Sequence, residues 1–154
     1  MPFDRITSAD YEPAILQGIK EHDAEVKDIT DNEAEATFEN TIVALDRSGA
    51  MLNRVLGVFY PMLSANADDA LLAVSELMAP VLSEHFNSIT LNEQLWQRVK
   101  YVHDHFDEEK YDVEDRMLMR ETYDGFVRSG ANLQGADRER YRELSKRLTE
   151  LTLN

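Results

Sequence analysis

The sequence predicts an all-α fold, an antiparallel bundle of about six helices forming a single domain over 1–154. Three observations carry that expectation. First, Phe38, Ile42, Leu45, Gly49, Leu52, Leu56, Phe59 and Leu63 follow one another in steps of four and three, which keeps one apolar stripe on one side of a helix. Second, five further stretches repeat the same period. Third, no alternating strand pattern of useful length, internal repeat or low-complexity linker interrupts them. A chain of 154 residues can bury roughly two thirds of its unfolded surface around one core.

The first helix is expected to begin near Asp10, because Pro13 suits only a first turn, where its missing N–H is not needed. Phe3 and Ile6 precede it as anchors. Ile15, Ile19, His22, Val26 and Ile29 then share a face until the polar stretch Asp31, Asn32, Glu33. The second helix is read as one rod over 37–63, about 40 Å long at 1.5 Å per residue. Thr37 is its N-cap, and Glu39 suits the positive end of its dipole. Gly49 lies on its seam, at a roughly 1 kcal/mol disadvantage to alanine, and therefore reads as a crossing point where a neighbour comes close. Pro61 predicts an end or kink between Phe59 and Leu63, with loop and cap over 64–69.

Leu71, Val74, Met78, Val81 and His85 share a face of a third helix that Pro80 should kink or divide, since an internal proline costs about 3 kcal/mol. Thr90, Leu91, Asn92, Glu93 read as a capping box before a fourth helix carrying Leu95, Trp96, Val99, Val102 and Phe106. After the polar break 107–110, Asp112 caps a fifth helix through Met117, Leu118, Tyr123, Phe126 and Val127, closed by Arg128 and a left-handed Gly130. A connection over 131–135 leads to a last helix with Tyr141, Leu144, Leu148 and Leu151 on one face. It is still in phase at Leu153 and Asn154, which predicts an excised piece of a longer protein.

Composition excludes several functions. With 30 acidic and 16 basic residues the net charge is −14, so phosphate backbones and anionic membrane surfaces are repelled and no nucleic-acid partner is expected. No apolar run reaches the roughly 18 to 20 residues of a membrane span. Cysteine is absent, so disulfides and thiolate metal sites are excluded. The N-terminus lacks the basic and apolar regions of a secretory signal, which predicts a cytoplasmic protein, or an exported one whose signal has been removed.

Chemistry is sparse. A helical zinc site needs His-Glu-x-x-His, because histidines four apart share a face while the glutamate serves as base. The sequence lacks it. His22, His85, His103 and His105 also lack a glutamate three residues before them, so carboxylate-bridged metal bundles are not indicated either. His103 and His105 would point about 200° apart on a helix and read as solvated or partly packed. His22 and His85 fall on apolar faces and read as satisfied core histidines. The many carboxylates read as a solvated exterior, and neither a Gly-rich phosphate loop nor a Gly-x-Ser-x-Gly elbow occurs. A Ser/His/Asp set assembled only in space stays open. Met51, Met62, Met78 and Met117 read as core filler, and Trp96, Tyr123 and Phe126 as packing. No catalytic, cofactor-binding or metal residue is assigned.

The words Thr37-Phe38-Glu39-Asn40-Thr41 and Ala44-Leu45-Asp46-Arg47-Ser48-Gly49 resemble the N-terminal signature of the thimet oligopeptidase and peptidyl-dipeptidase family of zinc metallopeptidases. Pro2-Phe3-Asp4 with Tyr11-Glu12-Pro13-Ala14, then Ser64-Ala65-Asn66, Leu91-Asn92 and Phe126-Val127-Arg128 with Gly130-Ala131, resemble the same region in the same order. The last word leans toward the peptidyl-dipeptidase branch. Pro61 and Gly135-Ala136 depart from the family's pattern. The resemblance implies a parent enzyme that uses zinc to release C-terminal dipeptides from oligopeptides in a channel between two helical lobes. It implies that this chain is the non-catalytic N-terminal helical domain, partnered by a C-terminal catalytic domain of the same polypeptide and forming part of the channel wall. The zinc ligands belong to a motif with no match here, so zinc is expected in the parent and no cofactor in this chain. The alternative is a stand-alone helical protein-interaction module.

Overall fold

Ser8 to Thr30 form the first and longest of the described helices, α1 (Ser8–Thr30). A computed structural model describes residues 6–133 and 135–152. The Asp10 carboxylate accepts from the Thr7 N–H at 2.8 Å, so α1 starts at Ser8 rather than near Asp10. Pro13 therefore lies past the first turn. Its position is exposed, as is Ala9 four residues earlier, so the carbonyl that loses its N–H partner faces water. Phe3 lies outside the described residues.

The second helix is not one rod. It opens as a π-helical segment (Phe38–Val43), continues as a single α-turn, α2 (Ala44–Arg47), and stops. Ser48 is extended (φ −68°, ψ 156°) and Gly49 left-handed (φ 70°, ψ 16°), after which α3 (Ala50–Asn66) begins. Thr37 is the N-cap, its hydroxyl accepting from the Asn40 N–H at 3.1 Å. The unbroken stripe was an expectation from side-chain spacing alone, and spacing does not reveal that the Gly49 N–H is taken by the Glu25 carboxylate at 2.6 Å.

Pro61 does not end α3, and Pro80 does not divide α4 (Asp69–Thr90). Both prolines, with Gly57 and Glu76 four residues before them, are exposed, so water can satisfy the freed carbonyls. Ser64 to Asn66 stay helical, and the connection shrinks to Ala67 and Asp68, whose carboxylate caps the Leu71 N–H at 2.7 Å. Thr90 closes α4 instead of capping its successor. Asn92 caps α5 (Glu93–Asp104), accepting from Leu95 at 2.9 Å. A 3-10 turn (Glu108–Lys110) precedes α6 (Val113–Arg128), which Asp112 caps as expected, and Gly130 adopts φ 80°. Gly135 starts α7 (Gly135–Thr152) rather than ending the connection. Arg138 ties α7 to the α4–α5 junction through the Leu91 carbonyl (2.8 Å) and Glu93 (3.1 Å).

Among the described residues all regular structure is helical, and no helix is long and apolar enough to cross a membrane. Packing follows from three contacts. Tyr11 meets Phe59, Gly18 meets Leu52 and Glu25 meets Gly49, so α1 and α3 run antiparallel. Ser8 meets Asp68 and His22 meets His85, so α4 returns alongside α1 in the same direction. The buried residues divide into two clusters. One joins Tyr11 and Ile15 to Leu52, Leu56, Phe59, Leu71, Met78 and Leu82. The other joins Val26 and Ile29 to Phe38, Ile42, Ile89, α5, α6 and Ala131, with Trp96 against Tyr123 and Phe126. Met51, Met117 and Leu144, expected in the core, face solvent at 36%, 54% and 53% exposure, whereas Met78 is buried. The side chains of Leu148 and Leu151, and Leu153 altogether, lie outside the described residues.

At Gly49, expected as a crossing point, the close neighbour is the His22 ring, and the backbone-to-backbone crossing is at Gly18. A Cβ there would lie 2.9 Å from the Leu52 Cα, so the two backbones touch and nothing larger than hydrogen fits. Gly57 and Gly125, by contrast, have nothing within 4 Å of where a Cβ would lie. Replacing Gly18 with alanine should therefore destabilise the fold by about 1 to 3 kcal/mol through overpacking, despite alanine's better helix propensity. Gly57→Ala and Gly125→Ala should stabilise it by roughly 0.5 to 1 kcal/mol. Urea denaturation of the three variants checks both signs.

Candidate functional site

Between the two apolar clusters lies a buried line of polar side chains. On α1, His22 falls between Ile15, which belongs to one cluster, and Val26, which belongs to the other; on α4, His85 likewise falls between Leu82 and Ile89. Helical periodicity thus brings both histidines to the waist of the molecule, where the Ser48–Gly49 break also lies. The rings sit edge to face, with His85 Nε2 3.0 Å from His22 Nδ1. His85 Nδ1 lies 3.0 Å from Asp23 Oδ1, and His22 Nε2 lies 3.1 Å from Ser48 Oγ. The Ser48 hydroxyl in turn donates to the Leu45 carbonyl at 2.6 Å. His22, His85 and Ser48 are all buried, while Asp23 is 56% exposed.

Gly49 completes the arrangement. A Cβ on it would meet His22 Nδ1 at 2.8 Å and Cε1 at 2.9 Å, so the imidazole occupies the volume a side chain would need. The positive φ adds a second reason for glycine. Its N–H, which no longer serves a helix, donates to Glu25 Oε2.

The electrostatics of His22 follow from this enclosure. Burial pushes its pKa below the ordinary 6.5, the neighbouring His85 pushes it further down, and Glu25 and Asp23 oppose both. The neutral ring is the favoured form.

These contacts put a serine, two histidines and an aspartate in one line, the spatial assembly that sequence alone left open. They do not make a hydrolytic centre. A nucleophilic serine needs N–H donors for the oxyanion that forms next to it; here the N–H adjoining Ser48 already holds a carboxylate, and the Ser48 proton is directed at a backbone carbonyl. A shallow cleft of about 400 Å³ borders Ser48, with Glu25, Asp28, Asn40 and Arg47 in its walls. Its charges are mixed.

His22 and His85 are thus core histidines with every ring nitrogen partnered. Their pairing with each other, and the parts of Asp23, Glu25 and Ser48, were not anticipated; the one available signal was that both histidines lie on the apolar faces of their helices. His103 and His105 diverge. His103 stacks on Tyr123 at 3.7 Å and faces Asp104, whereas His105 stacks on Tyr101 at 4.2 Å and bonds its carbonyl at 2.8 Å. Among the described residues no group of three or more histidine, aspartate or glutamate side chains is placed to hold a metal ion.

The pH dependence of stability follows from His22. Its proton affinity is lower folded than unfolded, so below the ordinary 6.5 the unfolded chain binds more protons. The His22 contribution to stability is therefore fully present above that pH and declines as pH falls through the lowered folded value. His85→Ala strands His22 Nδ1 in the core and should remove about 1 to 3 kcal/mol. Denaturant melts of wild type and His22→Gln between pH 7.5 and 5 should show a decline in the first that is shallower in the second.

Against known proteins, no family model matches the chain. The dipeptidyl carboxypeptidase of Escherichia coli (strain K12) is 35% identical over 150 residues, which is 97% of this chain and 22% of that protein. The dipeptidyl carboxypeptidase of Salmonella typhimurium is 34% identical over 143 residues, 93% of this chain and 21% of its own length. The chain spans about a fifth of the length of these relatives. With a third of its residues shared along nearly its whole extent, the chain is similar to one stretch of these dipeptidyl carboxypeptidases, about a fifth of their length.

Proposed function

We propose that this chain is the non-catalytic N-terminal helical domain of a zinc metallopeptidase that releases C-terminal dipeptides from oligopeptides. One observation carries the reading: 97% of the chain aligns with a dipeptidyl carboxypeptidase while accounting for 22% of it, and the chain holds no His-Glu-x-x-His. In this reading catalysis resides in the remaining part of the polypeptide, which is the domain's principal partner, and the helices of this chain form part of the substrate-channel wall. Zinc belongs to that catalytic part. Among the described residues the paired histidine nitrogens serve each other, Asp23 and Ser48, and no group of three or more histidine, aspartate or glutamate side chains is placed to hold a metal ion. The net charge of −14 disfavours nucleic acids as ligands and is compatible with a cytoplasmic enzyme acting on peptides.

The test is a chimera. The homologous segment of the E. coli dipeptidyl carboxypeptidase is replaced by this chain, and dipeptide release from a blocked oligopeptide is measured beside a deletion of the segment. The chimera should release dipeptides, the deletion should not, and the isolated chain supplied with zinc should release none. Zinc-dependent release by the isolated chain would overturn the reading, as would a deletion as active as the intact enzyme.

A further inference from the structure

We propose that the His22–His85 pair is a one-proton lock on the Ser48–Gly49 break: the contacts from Asp23 to the Leu45 carbonyl are all made only when the two imidazoles together hold one proton beyond their neutral complement. The inference is a count of hydrogens along a line whose two ends can only accept. At one end the Leu45 carbonyl has no proton to give, so at 2.6 Å the Ser48 hydroxyl hydrogen lies between them. Ser48 Oγ therefore faces His22 as an acceptor, and His22 Nε2 must carry a hydrogen. At the other end the solvent-open Asp23 carboxylate accepts, so His85 Nδ1 must carry one too. The 3.0 Å contact between His22 Nδ1 and His85 Nε2 needs a third. Two neutral imidazoles bring only two.

With no extra proton one contact goes unmade: the rings meet lone pair to lone pair, or His85 Nδ1 turns a lone pair to the Asp23 carboxylate, or the serine hydroxyl swings to His22 and leaves Oγ and the Leu45 oxygen at 2.6 Å with no hydrogen between them. With two extra protons, N–H faces N–H at 3.0 Å in a buried site. One extra proton satisfies every contact. Burial disfavours placing it on His22, and the Asp23 carboxylate lies 3.0 Å from His85 Nδ1. The charged groups acting on the pair are Asp23 and Glu25, both from α1. The break itself presents the Ser48 hydroxyl and the Gly49 backbone, the latter held by Glu25. Changing the proton count therefore removes a contact from a line that ends on the Ser48–Gly49 junction.

Ring-nitrogen NMR of the intact chain, labelled with 15N histidine and titrated from pH 5 to 9, tests the lock. The expected result is two steps separated by more than about 1 pH unit, as strongly interacting sites require. Between them His22 should carry its hydrogen on Nε2 and His85 on both nitrogens, and the Gly49 amide signal should shift at each step. A His22 protonated on Nδ1 beside a neutral His85, or both rings titrating in one step, would overturn the proposal. In His85→Gln the Gly49 response should be lost. A response unchanged in that variant would also overturn it, and the wild-type assignment decides the matter if the variant does not fold.

Discussion

The interaction on which the architecture depends is the filling of one missing side chain by another residue's ring. Gly49 has no Cβ, the His22 imidazole takes that space, and the helix that would otherwise run on from Thr37 must turn there. The turn frees a backbone N–H, which Glu25 captures from the same helix that supplies the ring. Three residues of α1, spaced within one turn, thus reach His85, Ser48 and Gly49 at once. Buried polar groups are costly when unpaired, so this arrangement tolerates little rearrangement. It fixes where α2 stops, where α3 starts and how α4 lies beside α1.

Much of the fold was legible in the sequence because helical spacing reports which residues face inward. Ile15, Ile42, Leu52, Leu95 and Val99, all on the expected stripes, are entirely buried. Caps at Thr37 and Asp112 were legible because a side-chain acceptor three residues before a free N–H is a local relation. The failures share a cause. The break at Gly49 depends on His22 and Glu25, more than twenty positions away, and periodicity carries no record of such partners. The prolines misled in the opposite sense: their penalty assumes that the displaced carbonyl has nowhere to turn, whereas solvent covers the faces where Pro61 and Pro80 lie. The histidine line was half legible. Two inward-facing histidines could be placed on the apolar faces of their helices, but the register that joins them could not.

Similarity to known proteins and interior chemistry bear on different questions. The similarity is spread along nearly the whole chain. The buried polar line concerns how the helices are locked. Its members have the chemical types of a relay but the geometry of a fastening, since each terminal proton is directed at a group that keeps it.

Two apolar clusters separated by a polar waist have a mechanical corollary. α1 and α4 are the elements that contribute to both, side by side and pointing the same way, so they work as a pair of shared rails. At the Phe59 end the Gly18–Leu52 contact leaves no slack between the α1 and α3 backbones, so the two helices are set at a fixed spacing where the rails begin.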